Sequence, residues 1–251
     1  MPTSGKRSLI GRRYTPLVRS AKNWDDYVAH ADEVAESAGF QALRDRILAS
    51  ADLGDGAVVV DVGAGTGLLA MAAAERAGTV WAVDISPAMG RHLEAVAAAS
   101  GLHNVHVITA SAVALPLEDA SADAVVSNYC YHHLTDPQKR LALAEAHRVL
   151  RPGGRLVVGD MMFRVRLNDA RDRQVLREKS LAMLRMGVPG AVRLLRNAGR
   201  YASRRWEHPS DGPWWKAALI SAGFGDVDLS LLEHVGGVVA GRRAPAPARP
   251  G

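Results

Sequence analysis

The stretch VVVDVGAGTG, residues 58–67, decides how this chain folds. Ala57–Val62 is a β-branched apolar run with no polar alternation, the pattern of a strand buried on both faces. Gly63, Gly65 and Gly67 then allow tight bending, and the alanine-rich Leu68–Arg76 reads as a helix stopped by Gly78. Working outward, the same alternation recurs. Val80–Val83, Val105–Ile108, Ala124–Val126 and Arg155–Val158 read as strands. Ser86 and Pro87 form an N-cap and N1 pair for a helix ending near Gly101. Leu141–Leu150 is a further helix, and Pro152-Gly153-Gly154 turns the chain into the next strand. Short connections between alternating elements imply right-handed crossovers and a mainly parallel, doubly wound α/β sheet. Trp214–Ala222 reads as a last helix, with Trp214 and Trp215 docking it. Val227–Leu231 and Val235–Ala240 read as a final antiparallel pair at a sheet edge.

Composition sets the outer bounds. The 251 residues are 48% apolar and 23% charged, a globular balance that excludes wholesale disorder. No apolar run reaches the roughly 18 residues of a membrane span. The basic N-terminus lacks a following apolar region, so no secretory signal is expected. A lone cysteine, Cys130, excludes an intramolecular disulfide framework and a multi-cysteine zinc site, which makes a cytoplasmic location the default. His92, His103, His106, His208 and His234 lie in separate contexts, and no metal is expected.

The net charge of +5 is unevenly spread. Residues 1–22 carry six bases and no acid, and residues 161–205 carry twelve bases against three acids. The second of these reads as two helices, about Arg171–Met186 and Gly190–Arg205. On the latter, Arg193, Arg196, Arg200 and Arg204 share one face within about 80° of arc. Such a face suits weak association with an anionic membrane surface, or is simply a solvated exterior. The tail, residues 244–251, alternates proline, alanine and arginine and reads as disordered.

The chemistry belongs at the glycine turn. A helix N-terminus there offers unpaired N–H groups to a ligand. The spacing departs from the dinucleotide fingerprint, because Leu68 stands at the third-glycine position. Asp61 just before the glycines also repels a pyrophosphate and welcomes a cation. Asp84 ends the next strand, where a carboxylate accepts hydrogen bonds from both hydroxyls of a ribose. A ribose-bearing ligand with a cationic amino-acid end and no phosphate satisfies both; S-adenosylmethionine meets that description.

Residues 57–160 resemble the class I S-adenosylmethionine-dependent methyltransferases, in particular the type 11, UbiE-like small-molecule group. The stretches that carry the resemblance are VVVDVGAGTG, VDIS at 83–86, ALPLEDASADAVVSNYCYHHL at 114–134 and RVLRPGGRLVVGD at 148–160. It implies a Rossmann-like seven-stranded sheet in a single domain over 1–243. Residues 1–50 would form an N-terminal helical lid, 57–160 the cofactor core, 161–205 a helical substrate cap and 206–243 the closing helix and strand pair. By the same resemblance Asp61 and the backbone of Gly63, Ala64, Gly65 and Gly67 would hold the methionine end of the cofactor. Asp84 would bind the ribose, Ile85 and Met89 would flank the adenine, and Ala112 would meet its edge. Asn128 would sit beside the methionine portion. Where the family carries an acid, this chain has Ser111, whose hydroxyl is a weaker partner for the adenine amino group than a carboxylate.

Methyl transfer needs alignment and exclusion of water, and a base only for a protonated acceptor. His132 and His133 follow the fourth strand at its C-terminal end, the ligand-binding edge of such sheets. Either is placed to take a proton from a phenol or alcohol, His132 ahead, although in this family such a pair often only positions. Tyr129, Cys130 and Tyr131 are candidate pocket residues, with Cys130 a small packing residue rather than a nucleophile. Tyr14, Trp24 and Tyr27 are candidates for the lid, unless the N-terminal helix packs outside the sheet. Leu181, Met183, Leu184 and Met186 in the cap suggest an apolar or aromatic acceptor. The expected reaction moves methyl from S-adenosylmethionine to an O, N or C nucleophile of a small organic molecule, leaving S-adenosylhomocysteine. The alternatives are an RNA or lipid methyltransferase using the basic segments, or a non-catalytic S-adenosylmethionine-binding protein. A nucleic-acid partner is not expected, because Ser127-Asn128-Tyr129-Cys130 stands where amino-directed nucleic-acid enzymes carry NPPY or DPPY.

Overall fold

The computed structural model describes residues 23–163, 170–192, 194–195, 207–232 and 236–245. Tyr14, most of the basic helix after Gly190 and the alternating tail beyond 245 lie outside them. Five β-branched runs form the parallel heart of the sheet: β1 (Val58–Val62), β2 (Thr79–Asp84), β3 (Val105–Thr109), β4 (Ala122–Asn128) and β5 (Leu150–Met161). With β6 (Phe224–Leu231) and β7 (Gly236–Arg243) they make a seven-stranded sheet ordered β3-β2-β1-β4-β5-β7-β6. The last two are antiparallel, as expected, but β7 slots between β5 and β6, so β6 alone is the edge. Gly236, Gly237 and Gly241 leave room for that insertion; a Cβ on Gly237 would sit 2.7 Å from Met162 Sδ.

Helices cover both faces, as parallel strands buried on both sides require. α1 (Val28–Ala35) and α2 (Ala38–Ala51) precede the sheet, and α3 (Leu68–Ala74), α4 (Pro87–Ala99) and α5 (Asp136–Val149) are its crossovers. α6 (Ala170–Arg185) lies in the insertion and α7 (Gly212–Ser221) packs on β6. Among the described residues no helix is long and apolar enough to cross a membrane.

Four elements depart from the sequence reading, each for a local reason. Helix α5 starts five residues before Leu141, because Thr135 and Gln138 form a reciprocal capping box with Pro137 in the first turn. Pro152-Gly153-Gly154 is an outward bulge within β5 rather than a turn before it. Six residues of β5, Leu150 to Arg155, there pass three of β4, Ala122 to Ala124. The N-terminal region is not all lid: Leu43, Ile47 and Ala51 on α2 are buried against β4 and β5, where Gly159 admits Ile47. Finally, Leu181, Leu184 and Met186 in α6 and the turn after it are 43–58% exposed and do not line the central cavity, so they do not form the acceptor wall expected of them.

Candidate active site

Parallel strands point their C-terminal ends to one edge, and that edge collects Asp61 (β1), Asp84 (β2), Asn128 (β4) and Asp160 (β5). The turn after β1 is tied down by two amides, Gly63 and Ala64, that donate to Val83 O at 2.8 and 3.1 Å. Gly65 N donates to Asp84 Oδ2 and Ser86 N to Asp84 Oδ1, both at 2.8 Å. One carboxylate thus braces two loops while facing the cavity. Gly65 has φ +54° and open space where its Cβ would stand, so the backbone is bare toward the cavity. Gly67 belongs to a different neighbourhood. Its φ of +105° opens α3, and a Cβ there would strike Leu93 Cδ1 at 2.3 Å; it does not line the cavity.

The cavity has a volume of about 480 Å³, within the range of roughly 300–1,000 Å³ typical of small-molecule sites. Asp61, Gly63, Ala64, Gly65, Asp84, Ile85, Met89, Ser111, Ala112 and Asn128 all line it. Two acceptor oxygens there are buried without a partner, Asp61 Oδ2 and Asn128 Oδ1. Burial, and next the neighbouring Asp84, push the Asp61 carboxyl up to about 8, against the Ala70 amide. Burial also raises Asp84, opposed chiefly by the amides of Ser86 and Gly65. Buried carboxylates with spare acceptor capacity make this wall a receptor for a cation bearing N–H groups. These acceptors, the bare turn and the cavity size fit S-adenosylmethionine.

Another part of the lining is aromatic. Trp24 sits in a short 3₁₀ turn, Trp24–Tyr27, held over the N-terminus of α4 by Asp25. Asp25 Oδ1 accepts from Ser86 Oγ and, at 3.2 Å, from Ala88 N. Those bonds hold its carboxyl below the usual range. Ser86 meanwhile caps α4 through Met89 N at 3.1 Å. Trp24 packs on His133 with ring centroids 4.4 Å apart, and Phe40 stacks on Tyr129 at 4.5 Å. Tyr129 has φ +50°, a strained setting for a tyrosine that turns β4 into the site. Trp24, Ala31, Val34, Ala35 and Phe40 line the cavity, so part of the N-terminal region does cover it; Tyr27 stands outside.

The two histidines, ring centroids 3.9 Å apart, differ in their access to the cavity. His133 is on the cavity wall. His132 is buried behind it, its Nδ1 2.6 Å from Asp160 Oδ1. Tyr131 turns into the core against Trp215, ring centroids 5.6 Å apart, and leaves the pocket. Cys130 lines the cavity with its thiol pushed up by burial, as a packing residue would have it.

A methyltransferase-domain family profile matches residues 59–154. An uncharacterized methyltransferase of Geobacillus kaustophilus is 32% identical over 158 residues, 62% of this chain and 70% of that protein. The chain belongs to the class I methyltransferases. A solved S-adenosylmethionine-dependent methyltransferase from Aquifex aeolicus superposes with a TM-score of 0.60 at 18% identity, covering 85% of this methyltransferase and 97% of that chain. The [4+2]-cyclase SpnF superposes at 0.65 with 18% identity, covering 89% and 94%. At such identity the likeness speaks for the fold alone, and the acceptor must be argued from the site.

Four residues beside or behind His133 carried no sequence signal of their own: Asp160, Glu207, His208 and Lys139. Lys139 is fully buried in α5 and donates to His208 O, to Ser210 Oγ at 2.7 Å and to Asp136 Oδ1 at 3.3 Å. His208 N donates to His132 O at 2.7 Å. These bonds strap residues 207–211 across the site, setting His208 into the cavity wall and Glu207 beside both histidines.

Proposed function

We propose that this methyltransferase transfers a methyl group from S-adenosylmethionine to an O, N or C nucleophile of a small, apolar or aromatic organic acceptor. The observation that carries the reading is the mixed lining of one cavity, in which unpartnered Asp61 Oδ2 and Asn128 Oδ1 occur together with the aromatic rings of Trp24, Tyr129 and His133. S-adenosylmethionine supplies an electrophilic methyl on a sulfonium sulfur, whose leaving group needs no proton. Asp61, Asn128 and the backbone of residues 63–65 would hold its cationic methionine end. Asp84 would accept from the ribose, Ile85 and Met89 would sandwich the adenine, and Ser111 and Ala112 would meet its edge. Gly67 shapes the turn rather than touching the ligand. The chain's own contribution to rate is then alignment of the acceptor against the aromatic wall and exclusion of water beneath Trp24.

Calorimetric titration with S-adenosylmethionine and S-adenosylhomocysteine is expected to give one site of micromolar affinity for each. Incubation with panels of phenols, quinones, amines and lipids should then yield S-adenosylhomocysteine with aromatic or apolar members. Binding to neither, or turnover only with small hydrophilic acceptors, would overturn the reading.

Asp61 gives this binding a proton signature. A carboxyl at about 8 is mostly protonated at pH 7, and a cation beside it favours the ionised form. Binding at pH 7 is therefore expected to release most of one proton, and affinity to rise from pH 6 to pH 8. The free protein should behave oppositely. Its folded state holds the Asp61 proton between about 3.8 and 8, so this group's contribution to stability falls as pH rises through that window. Titrations in two buffers of different ionisation enthalpy check the release, which Asp61→Asn should abolish; equal heats in both buffers for the unaltered protein would refute it.

A further inference from the structure

Three ligand-bearing side chains meet beside the cavity, behind its lining residue His133, at a place where residue spacing predicts no metal. His132 Nε2 is 4.0 Å and His133 Nδ1 3.9 Å from Glu207 Oε1, and the three ligand atoms lie within 4.8 Å of one another. Asp160 Oδ1 already accepts from Met161 N at 2.7 Å. Its 2.6 Å contact with His132 Nδ1 is then an N–H donated to a carboxylate, so that in the neutral imidazole the lone pair lies on Nε2, the atom facing Glu207. A carboxylate behind a histidine, fixing its tautomer and aiming its other nitrogen, is the support that metal-ligating histidines use.

Charge points the same way. Asp160 is fully buried with Oδ2 lacking a partner, and Glu207 adds a second carboxylate beyond the imidazoles. The adjacent cation, Lys139, is engaged by Asp136, Ser210 and His208 O. In a tetrahedral shell, bonds of about 2.0–2.2 Å place ligand atoms roughly 3.3–3.6 Å apart, so closing on an ion needs a shift of about 1 Å. Glu207 has the freedom for it, its side chain being 39% exposed at the end of the strap.

We infer that His132, His133 and Glu207 form a divalent transition-metal site, supported by Asp160, with open positions toward the cavity. Two imidazoles and one carboxylate suit Zn²⁺, Co²⁺ or Fe²⁺ better than Mg²⁺ or Ca²⁺. Because His133 lies on the cavity wall, an oxygen or nitrogen of the acceptor would complete the shell. That narrows the acceptor to molecules carrying a donor atom next to the methylated position. This last consequence rests on the methyl-transfer reading; the ion site does not.

The test is titration of the chelator-treated, tag-free full chain with CoCl₂, read by visible absorption, followed by ZnCl₂ competition. One Co²⁺ per chain at micromolar affinity, displaced by Zn²⁺, is expected. Glu207→Gln alters a partly exposed side chain, so its fold should persist by circular dichroism while Co²⁺ affinity falls at least tenfold. His133→Ala should lose as much, and Asp160→Asn about 10- to 100-fold. Zn²⁺ should also raise the melting temperature of the unaltered chain and not that of Glu207→Gln. No saturable binding of either ion below about 1 mM, or equal affinity in Glu207→Gln, would overturn the site. Metal binding without S-adenosylmethionine binding would leave the site standing and remove only the methyl-transfer reading.

Discussion

Asp84→Ala is expected to weaken S-adenosylmethionine binding by about 100-fold or more while the melting temperature changes little. The carboxylate does two jobs from one place. Its oxygens hold backbone amides, Gly65 N on Oδ2 and Ser86 N on Oδ1, and in the proposed complex they also accept from the ribose hydroxyls. A hydrogen bond to a charged group contributes about 1.5–3 kcal/mol, so losing two costs roughly 3–6 kcal/mol of binding, or about 10²–10⁴-fold. Stability is balanced differently. Burial already raises the Asp84 carboxyl, so its ionised form is partly desolvated, which offsets the loss of the two amide bonds. Asp84→Asn keeps one acceptor oxygen and should fall between the two proteins. Calorimetry paired with thermal denaturation separates the effects. An affinity loss below tenfold in Asp84→Ala would show that the ribose sits elsewhere.

What could be read from the sequence is what neighbouring residues decide. Runs such as Val58–Val62 announce a strand buried on both faces because valines stand at consecutive positions with no alternation toward water, and the buried Asp61 and the glycine turn directly after it announce a ligand edge. Every cavity-lining residue expected for the cofactor lies within a few residues of such a strand end, which is why the chain displays them. Gly67 is the exception; the pattern gives it the same weight as Gly65, although its requirement comes from Leu93 on another helix. The acceptor side is built from distant partners. His132 and Asp160 are 28 residues apart and meet only because β4 and β5 are adjacent and in register. Glu207 reaches the histidines through a strap whose anchor, Lys139, looks in sequence like any solvent-facing lysine of an amphipathic helix. The apolar residues of α6 misled for the opposite reason. Leu181, Leu184 and Met186 carry the composition of a pocket wall, but composition does not say which face a helix turns inward.

Gly63→Ala is expected to destabilise the fold by roughly 2–5 kcal/mol, from about 1–2 kcal/mol for left-handed backbone and about 1–3 kcal/mol for overpacking. Its φ is +74°, and an added Cβ would lie 2.2 Å from Cys130 Sγ and 2.5 Å from Cys130 Cβ. Neither side is free to yield. Gly63 N is held by Val83 O at 2.8 Å, and Cys130 follows Tyr129, whose N donates to Gly159 O at 2.8 Å. For a chain of this size the melting temperature should drop by roughly 5–20 °C. The contact can be isolated by a double-mutant cycle. Cys130→Gly removes both clashing atoms but not the backbone strain, so combined with Gly63→Ala it should recover about half of the loss. Cys130→Ala leaves a Cβ at 2.5 Å and should recover little. Equal recovery by the two, or a Gly63→Ala protein within about 0.5 kcal/mol of the parent, would refute the steric account. If the cycle holds, Gly63 joins the turn that carries Gly65 to the strand end that carries Asn128. The two halves of the proposed methionine-binding wall are then locked in one geometry before any ligand arrives, as preorganised binding requires.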